Sequence, residues 1–526
     1  MTQQKPQTVP AAARYQQLKS DRNEAESRAK KCAALTLPTL FKEVTKGKST
    51  STRTTPYQGT GAKCVNSLSS RLLLAILPAN ASFFKLSPDG VDAAQLAEQA
   101  GIQQGELEMG LAEVERTVIN DIETSGMRSV LGTAMRHAVG VGNGLIYIPD
   151  EGNAKFYPLT RIVVHRDGMG SVLEMLTLDS VAPSTLDETL RAALKLDKDK
   201  GGASKDEGPE KDVELYTRIY RDGDLWQVYQ EVNGVVVPGS EGSYPIDACP
   251  WIPFRIPVED ALDYGSGLIY DYFGDFDALE KLTKAALKGA AAAAKVLWAL
   301  DENASIRPQE ITKAESGDVL RFKASQLQAV SQDKYADFRF VTEFIDTLTR
   351  RLEAAFGVRT SIQRNGDRVT AEEIRYLAME LEEVLGNVYS LLAEDLMIPL
   401  VRRVMDRLQR AHRLPELPKG LIKPRIVVGV AALGRGQDMR KLIEWCDASK
   451  EALGPEEFAR RVNSGELLYR LGAASDLVMK GLIRSDAELQ QDQESQTMQQ
   501  AAIRAAPNIA NAAMAQQQPQ GDMSGN

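Results

Sequence analysis

The chain has 526 residues, 43% of them apolar and 26% charged, with a net charge of −9. That length exceeds one ordinary core and predicts several domains of normal soluble composition. The negative balance excludes a generic basic nucleic-acid binder, so any contact with nucleic acid must be local or weak by design.

Residues 11–36 read as a charge-rich helix stopped by Pro38, and Thr45 to Gly61 reads as a loop. Ala62 to Leu77 carries Val65, Leu68, Leu72, Leu73 and Ile76 at helical spacing and ends at Pro78. Two further helices are predicted over about 92–123 and 127–139. The period then changes: Gly144-Leu-Ile-Tyr-Ile is strand-like, and Arg161–His165 with Ser171–Thr177 flanks an Asp167-Gly168 turn. After a charged, Gly-rich loop (Leu194 to Lys211), Val213–Tyr220, Leu225–Val232 and Gly234–Val237 form an antiparallel meander joined by Asp222-Gly223 and Asn233-Gly234.

From Gly267 to about Trp298 the spacing predicts one long, proline-free helix. Ala285–Ala286 and Ala290–Ala294 give it an Ala-rich second half, suited to close helix neighbours. Lys281, Lys284, Lys288 and Lys295 share the opposite edge. A short module, Asp301 to Gln332, follows with a strand-like Val319-Leu-Arg-Phe. Lys334 to Phe356 is helical again, striped by Phe338, Val341, Ile345, Leu348, Leu352 and Phe356, with Gly357 at the C′ position. Two long helices therefore flank a compact module and should stand side by side.

Residues 357–370 carry Arg359, Arg364 and Arg368 around an Asn365-Gly366 turn. Thr370-Ala-Glu-Glu373 is a capping box opening another helix, which Pro399 should kink or break before it resumes to about Arg413. A proline-rich link leads to a strand, Arg425–Val430, then a helical region over about 434–485 and a Gln/Ala/Met-rich end with no structure signal.

Motifs for catalysis are weak. Gly47-Lys48-Ser49 lacks the first P-loop glycine, since position 42 is Lys42. Gly140, Gly142 and Gly144 run helix to strand, the reverse of a phosphate-binding turn, and read as a tight corner. His137, His165 and His412 are not at ligand spacing. Asp271, Asp275 and Asp277 complement a helix dipole better than they hold a metal. Cys32, Cys64, Cys249 and Cys446 lie far apart without a C-x-x-C pair, which predicts buried reduced thiols. No apolar leader or bilayer-length segment stands out, so the expectation is a soluble cytosolic protein. The reading is of a non-enzyme with no cofactor and no metal.

The run Asp247-Ala-Cys-Pro-Trp-Ile-Pro-Phe-Arg, then Tyr264-Gly-Ser-Gly-Leu, Arg364-Asn-Gly-Asp-Arg-Val-Thr-Ala-Glu-Glu-Ile-Arg-Tyr and Gly434-Arg-Gly-Gln-Asp resemble the portal proteins of short-tailed, podovirus-type bacteriophages. The resemblance extends from about Tyr15 to about Gln490. It implies an α+β, predominantly helical subunit with wing, stem, clip and crown. Twelve copies would form a ring at one capsid vertex, and double-stranded DNA would enter and leave through its channel. The implied division is wing 1–263, first stem helix 264–300, clip 301–332, second stem helix 333–356, channel loop 357–370, long wing helix with kink and return strand 371–433, crown 434–485 and tail 486–526.

On this basis Arg359, Arg364, Asn365, Gly366 and Arg368 are the channel-loop candidates. Lys281, Lys284, Lys288 and Lys295 are the stem candidates; solvated outer-face charge, or pairing with Glu280 and its neighbours in another subunit, is the ordinary alternative. Glu310, Lys313, Glu315 and Arg321 are candidates for docking partners at the clip. Implied partners are further copies of the chain, double-stranded DNA, the terminase large subunit, a tail adaptor, and the major capsid and scaffolding proteins. No membrane is implied. The location would be the virion, and the host cytoplasm during assembly. The competing expectations are a ring-forming DNA translocation motor, against which the missing P-loop speaks, and a helical scaffold without a pore.

Overall fold

A computed structural model describes residues 9–41, 55–78, 83–88, 104–185, 190–191, 212–257, 262–293, 297–303, 305–315, 317–321, 323, 325, 327–330, 335–358, 388–415, 422–426, 435–465, 467–468 and 471. In chain order these residues give α1 (Ala11–Leu35), α2 (Thr60–Ile76), β1 (Phe84–Pro88), α3 (Gln104–Thr124) and α4 (Met127–Val141). The strands β2 (Asn143–Tyr147), β3 (Lys155–Pro158), β4 (Ile162–Arg166), β5 (Val172–Val181), β6 (Val213–Asp222), β7 (Leu225–Val232), β8 (Val235–Val236), β9 (Gly242–Pro245) and β10 (Trp251–Arg255) follow. Then come α5 (Phe273–Ala293), β11 (Leu297–Leu300), α6 (Pro308–Lys313), β12 (Leu327–Val330) and α7 (Tyr335–Ala355). The last elements are α8 (Ile398–Arg410), β13 (Ile422–Ile426), α9 (Arg435–Leu453) and α10 (Pro455–Arg461). The architecture is helix-rich with antiparallel sheets.

The chain divides into two units: residues 1–85, 116–417 and 424–433 form one, and 86–115, 418–423 and 434–526 the other. In the first, the meander makes a six-stranded sheet, β4-β5-β6-β7-β8, with β9 also on β7. The Asp167-Gly168 hairpin pairs β4 with β5, and Asp222-Gly223 joins β6 to β7, as the turn signals predict. Helix α1 lies on this sheet through Ala11, Tyr15 and Leu18 against Val163, Leu176 and Tyr216. Its first turn has no cap of its own. Instead the buried Glu231 carboxylate on β7 accepts the amides of Ala11 (2.7 Å) and Ala12 (3.3 Å), charge that suits a helix N-terminus. Arg22, fully buried, donates to the carbonyls of Leu159 (2.8 Å) and Ile162 (2.6 Å) and pins the other side of α1.

Strands β10, β2 and β3 form a second antiparallel sheet. Helix α8 is held beside it by Arg403, which donates to the Ile148 carbonyl (3.0 Å) and pairs with Asp150 (2.7 Å) and Asp406 (3.0 Å). Proline 399 does not break this helix. A π-turn over Ala393–Met397 precedes Ile398–Arg410, and 388–392 is helical before it. The proline lacks an N–H and its ring crowds the carbonyl four residues back, which is that of Asp395, so the turn widens there.

Helix α4 ends where the Gly140, Gly142 and Gly144 spacing predicts a corner. Gly142 has φ 77° and closes the helix through its amide on the His137 carbonyl (2.8 Å). In the second unit, the predicted helical region begins with α9 and α10, joined at Gly454. Cys32, Cys64 and Cys446 are buried as expected, while Cys249 is half-buried. Desolvation pushes the Cys32, Cys64 and Cys249 thiols up to about 12, which leaves them inert.

Candidate functional site

The two long helices flank the short module, the first carries Lys281, Lys284 and Lys288, and the fold anchors both at one end. Before α5, Asp263–Gly267 is a latch rather than the start of a helix. Asp263 accepts from the Arg166 amide (2.8 Å) and the Tyr264 hydroxyl from the Val164 amide (2.9 Å). The Asn143 side chain donates to the Gly265 carbonyl (2.7 Å) and accepts from its amide (2.9 Å). Ile256 donates to the Gly142 carbonyl (2.7 Å), and Gly267 donates to that of Ile256 (2.9 Å). A Cβ on Gly142 would sit 2.3 Å from the Gly267 nitrogen and 2.4 Å from the Ile256 oxygen, so backbone meets backbone here and only glycine fits. This is the physical content of the Tyr264-Gly-Ser-Gly run.

The predicted helix from Gly267 to Trp298 is corrected at both ends. A 3-10 turn over Tyr270–Tyr272 precedes α5, which ends at Ala293. Leu297–Leu300 is instead strand β11, paired antiparallel with β12 so that Trp298 faces Ala329. Pairing across 30 residues of sequence overrides local helix propensity, and apolar runs as short as Val-Leu-Trp-Ala-Leu are ambiguous by period. The strand expected at Val319-Leu-Arg-Phe does not form over Val319–Arg321; Val319 is exposed and the strand lies at Leu327–Val330.

Helix α7 matches its expected span and ends in a Schellman motif: Gly357 (φ 62°) donates to the Ala354 carbonyl (3.1 Å) and Val358 to that of Glu353 (2.7 Å). It runs antiparallel to α5. Phe356, at its end, packs on Tyr272 (5.3 Å) and Phe276 (5.8 Å), near the start of α5, and Arg351 pairs with Asp275 (2.6 Å). Leu279, Leu348 and Leu352 complete the buried root. Towards the other end the same helices emerge from the chain's core. Leu287 is 58% exposed, Phe340 72% and Phe344 45%, the two rings stacked at 6.5 Å. Ala285, Ala290 and Ala291 are exposed as well.

Among the stem lysines, Lys281, Lys284 and Lys288 are all exposed, and Lys295 lies outside the described residues. Lys281 pairs with Asp277 (2.6 Å), one turn back on α5. Lys284 lies 5.3 Å from the Tyr57 ring centre. Glu280 is engaged within its own chain: it accepts from the amides of Tyr57 (2.9 Å) and Gln58 (3.2 Å), and so fastens that segment to the helix. Asp275 and Asp277 thus serve ion pairs. Arg359, Arg364, Asn365, Gly366 and Arg368 all lie outside the described residues, as do the capping box and Gly47-Lys48-Ser49. The module candidates are exposed: Glu310 in the first turn of α6, Lys313 in its last, then Glu315 and Arg321.

The sequence reading singled out neither Phe340 and Phe344, one turn apart at the edge of the α7 stripe, nor Leu287 on α5. Large apolar residues at the edge of a stripe were the available signal.

The family model for "Bacteriophage head to tail connecting protein" matches residues 9–476. The chain is similar to the portal protein of Escherichia phage T7, 37% identical over 95% of this chain and 93% of that one. It is also similar to the portal protein of Enterobacteria phage T3, 37% identical over 91% of this chain and 89% of that one. The portal protein of Enterobacteria phage SP6 is 29% identical over 90% of each chain.

Proposed function

The chain belongs to the family of bacteriophage head-to-tail connecting proteins, and from that premise we propose that it forms the portal ring of a short-tailed phage. The single observation that carries this reading is 37% identity to a portal protein across 95% of the chain. The exposed end of the α5–α7 pair supports it, because large apolar residues left open on a helical hairpin need cover from another copy.

In this reading α5 and α7 are the stem, residues 301–326 with β11 and β12 the clip, residues 357–370 the channel loop and residues 434–485, which include α9 and α10, the crown. Residues 1–263 and 371–433 form the wing. Copies pack stem to stem through Ala285, Ala290, Leu287, Phe340 and Phe344 in a dodecameric ring. Double-stranded DNA passes through the centre. A channel for DNA must not grip it, since each neutralised phosphate adds affinity that would stall movement. A chain with a net charge of −9 keeps the duplex centred, and sparse cationic rings give brief contacts. Arg359, Arg364 and Arg368, with Asn365 and Gly366 forming the turn, supply one such ring at the constriction. Lys288 and its neighbours Lys281, Lys284 and Lys295 line the stem.

The chain acts as a connector and not as a motor; the terminase large subunit docks at the clip through Glu310, Lys313, Glu315 and Arg321, and the tail adaptor later takes the same end. Capsid and scaffolding proteins meet the wing. The protein resides at a capsid vertex of the virion and assembles in the host cytoplasm. Among the described residues no helix is long and apolar enough to cross a membrane.

Particle images of the purified protein test the ring: a closed ring with a central hole is expected, and a monomer or filament would overturn the reading. The loop is tested separately by Arg364→Glu with Arg368→Glu, which should impair DNA packaging or retention while rings still form. Unchanged packaging would remove the loop from the channel.

A further inference from the structure

A cleft of about 350 Å³ opens in the first unit where the two sheets meet the π-turn before α8. One wall is aromatic and apolar, with Trp226 from β7 and Trp251 from β10, together with Met175 and Pro253. Both indoles are fixed: Trp226 donates to the Ile246 carbonyl (3.3 Å), and Trp251 stacks on Tyr147 (4.6 Å). Glu394 and Asp395 line the cleft from the π-turn, and Asp247 is at its edge. The Asp247 carboxylate is already satisfied by Arg402 (2.9 Å). The Glu394 and Asp395 carboxylates accept no hydrogen bond among the described residues, and Asp395 lies in the field of Arg166 and Arg255.

Among the described residues the lining contains one cation, Arg166. It is only 8% exposed, and its Nη atoms are committed to the carbonyls of Gly170 (2.9 Å) and Pro253 (3.5 Å). Its buried Nε has no partner. Desolvation holds the Asp395 carboxyl above its usual range, against the pull of Arg166 and Arg255. Burial and the neighbouring Arg255 bring Arg166 down to about 10. Two indoles beside two unbonded carboxylates make a receptor for a cation with a flat face, which aromatic rings and a carboxylate fork both favour. DNA is excluded by the sign of the charge.

We propose that this cleft docks an arginine side chain of a partner protein. The guanidinium meets the carboxylates of Glu394 and Asp395 beside the indoles. Both carboxylates come from the π-turn, so a local distortion in the backbone contributes to the lining of the cleft.

Labelled pentapeptides test this with the assembled full-length protein: Ala-Leu-Arg-Leu-Ala, and the same peptide with citrulline, which keeps the shape and loses the charge. Fluorescence anisotropy should show the arginine peptide binding at least ten times more tightly than the citrulline one. Glu394→Gln with Asp395→Asn should remove that difference, while Lys313→Ala, a control in the clip, should leave it intact. Equal binding of the two peptides, or an unchanged preference in the double variant, would overturn the proposal. Competition by free guanidinium as effective as by the arginine peptide would reduce the site to a simple cation site and also overturn it. Particle images of the double variant complete the test: intact rings are expected, and their loss would assign the cleft to a neighbouring copy instead.

Discussion

The two ends of the α5–α7 pair are built from the same helices yet live in opposite surroundings. At the root, Phe276, Leu279, Leu348, Leu352 and Phe356 are buried against the rest of the chain. At the far end, Leu287, Phe340 and Phe344 stand in the open. The root is buried within the chain, whereas the far end keeps large apolar residues open among the described residues. The first is burial within one chain; the second, in the proposed ring, would be burial against another copy.

Substitutions can separate these two kinds of burial. The largest expected effect is at the root: Phe276→Ala should cost about 3–5 kcal/mol through lost transfer energy and a cavity, read by chemical denaturation of the dissociated subunit. A loss below about 1 kcal/mol would mean that the root is not packed as described.

Next is the core beneath the latch. His137 is buried against Phe156 (4.6 Å), its Nδ1 has no partner, and desolvation lowers its pKa from 6.5 to about 4. Between those values the unfolded chain takes up a proton that the folded chain refuses. Stability is therefore complete above pH 6.5 and falls as pH drops towards 4, by on the order of 3 kcal/mol. Denaturation midpoints measured across that range should slope accordingly, and His137→Phe should flatten the slope.

The ion pair between Arg351 and Asp275 is at the root but largely in solvent, so Arg351→Ala should cost less than about 1 kcal/mol and less still at high salt. Smallest for the subunit is the far end. Phe340→Ser with Phe344→Ser should leave the dissociated subunit within about 0.5 kcal/mol of the parent, while rings in particle images become scarce. A subunit destabilised as much as by Phe276→Ala, or rings formed as readily as before, would erase the distinction between the two ends.

Much of the fold is legible in the residues one at a time. The Asp-Gly and Asn-Gly turns set the meander, and Gly357 marks the end of α7 as a left-handed cap. The ends of α5 were not legible. Asp263–Gly267 is not helical because Asn143, Val164 and Ile256 hold it, and Leu297–Leu300 is a strand because Leu327–Val330 lies beside it. Of the candidate site, the lysine edge was readable from its spacing. That Lys281 and Lys284 already have neighbours in Asp277 and Tyr57 was not, because Tyr57 is brought there by the clasp of Glu280.

By itself, then, the sequence determined the local periods, the turns, the caps and, through long runs of shared residues, the family. These depend on neighbours within a few positions or on matching residue types in order. Only the tertiary structure decided where α5 begins and ends, which glycines face another backbone, and which apolar residues remain uncovered. The start of α5 depends on segments more than 100 residues apart meeting at one joint, as Asn143 and Gly265 do, and its end on the pairing of Leu297–Leu300 with Leu327–Val330.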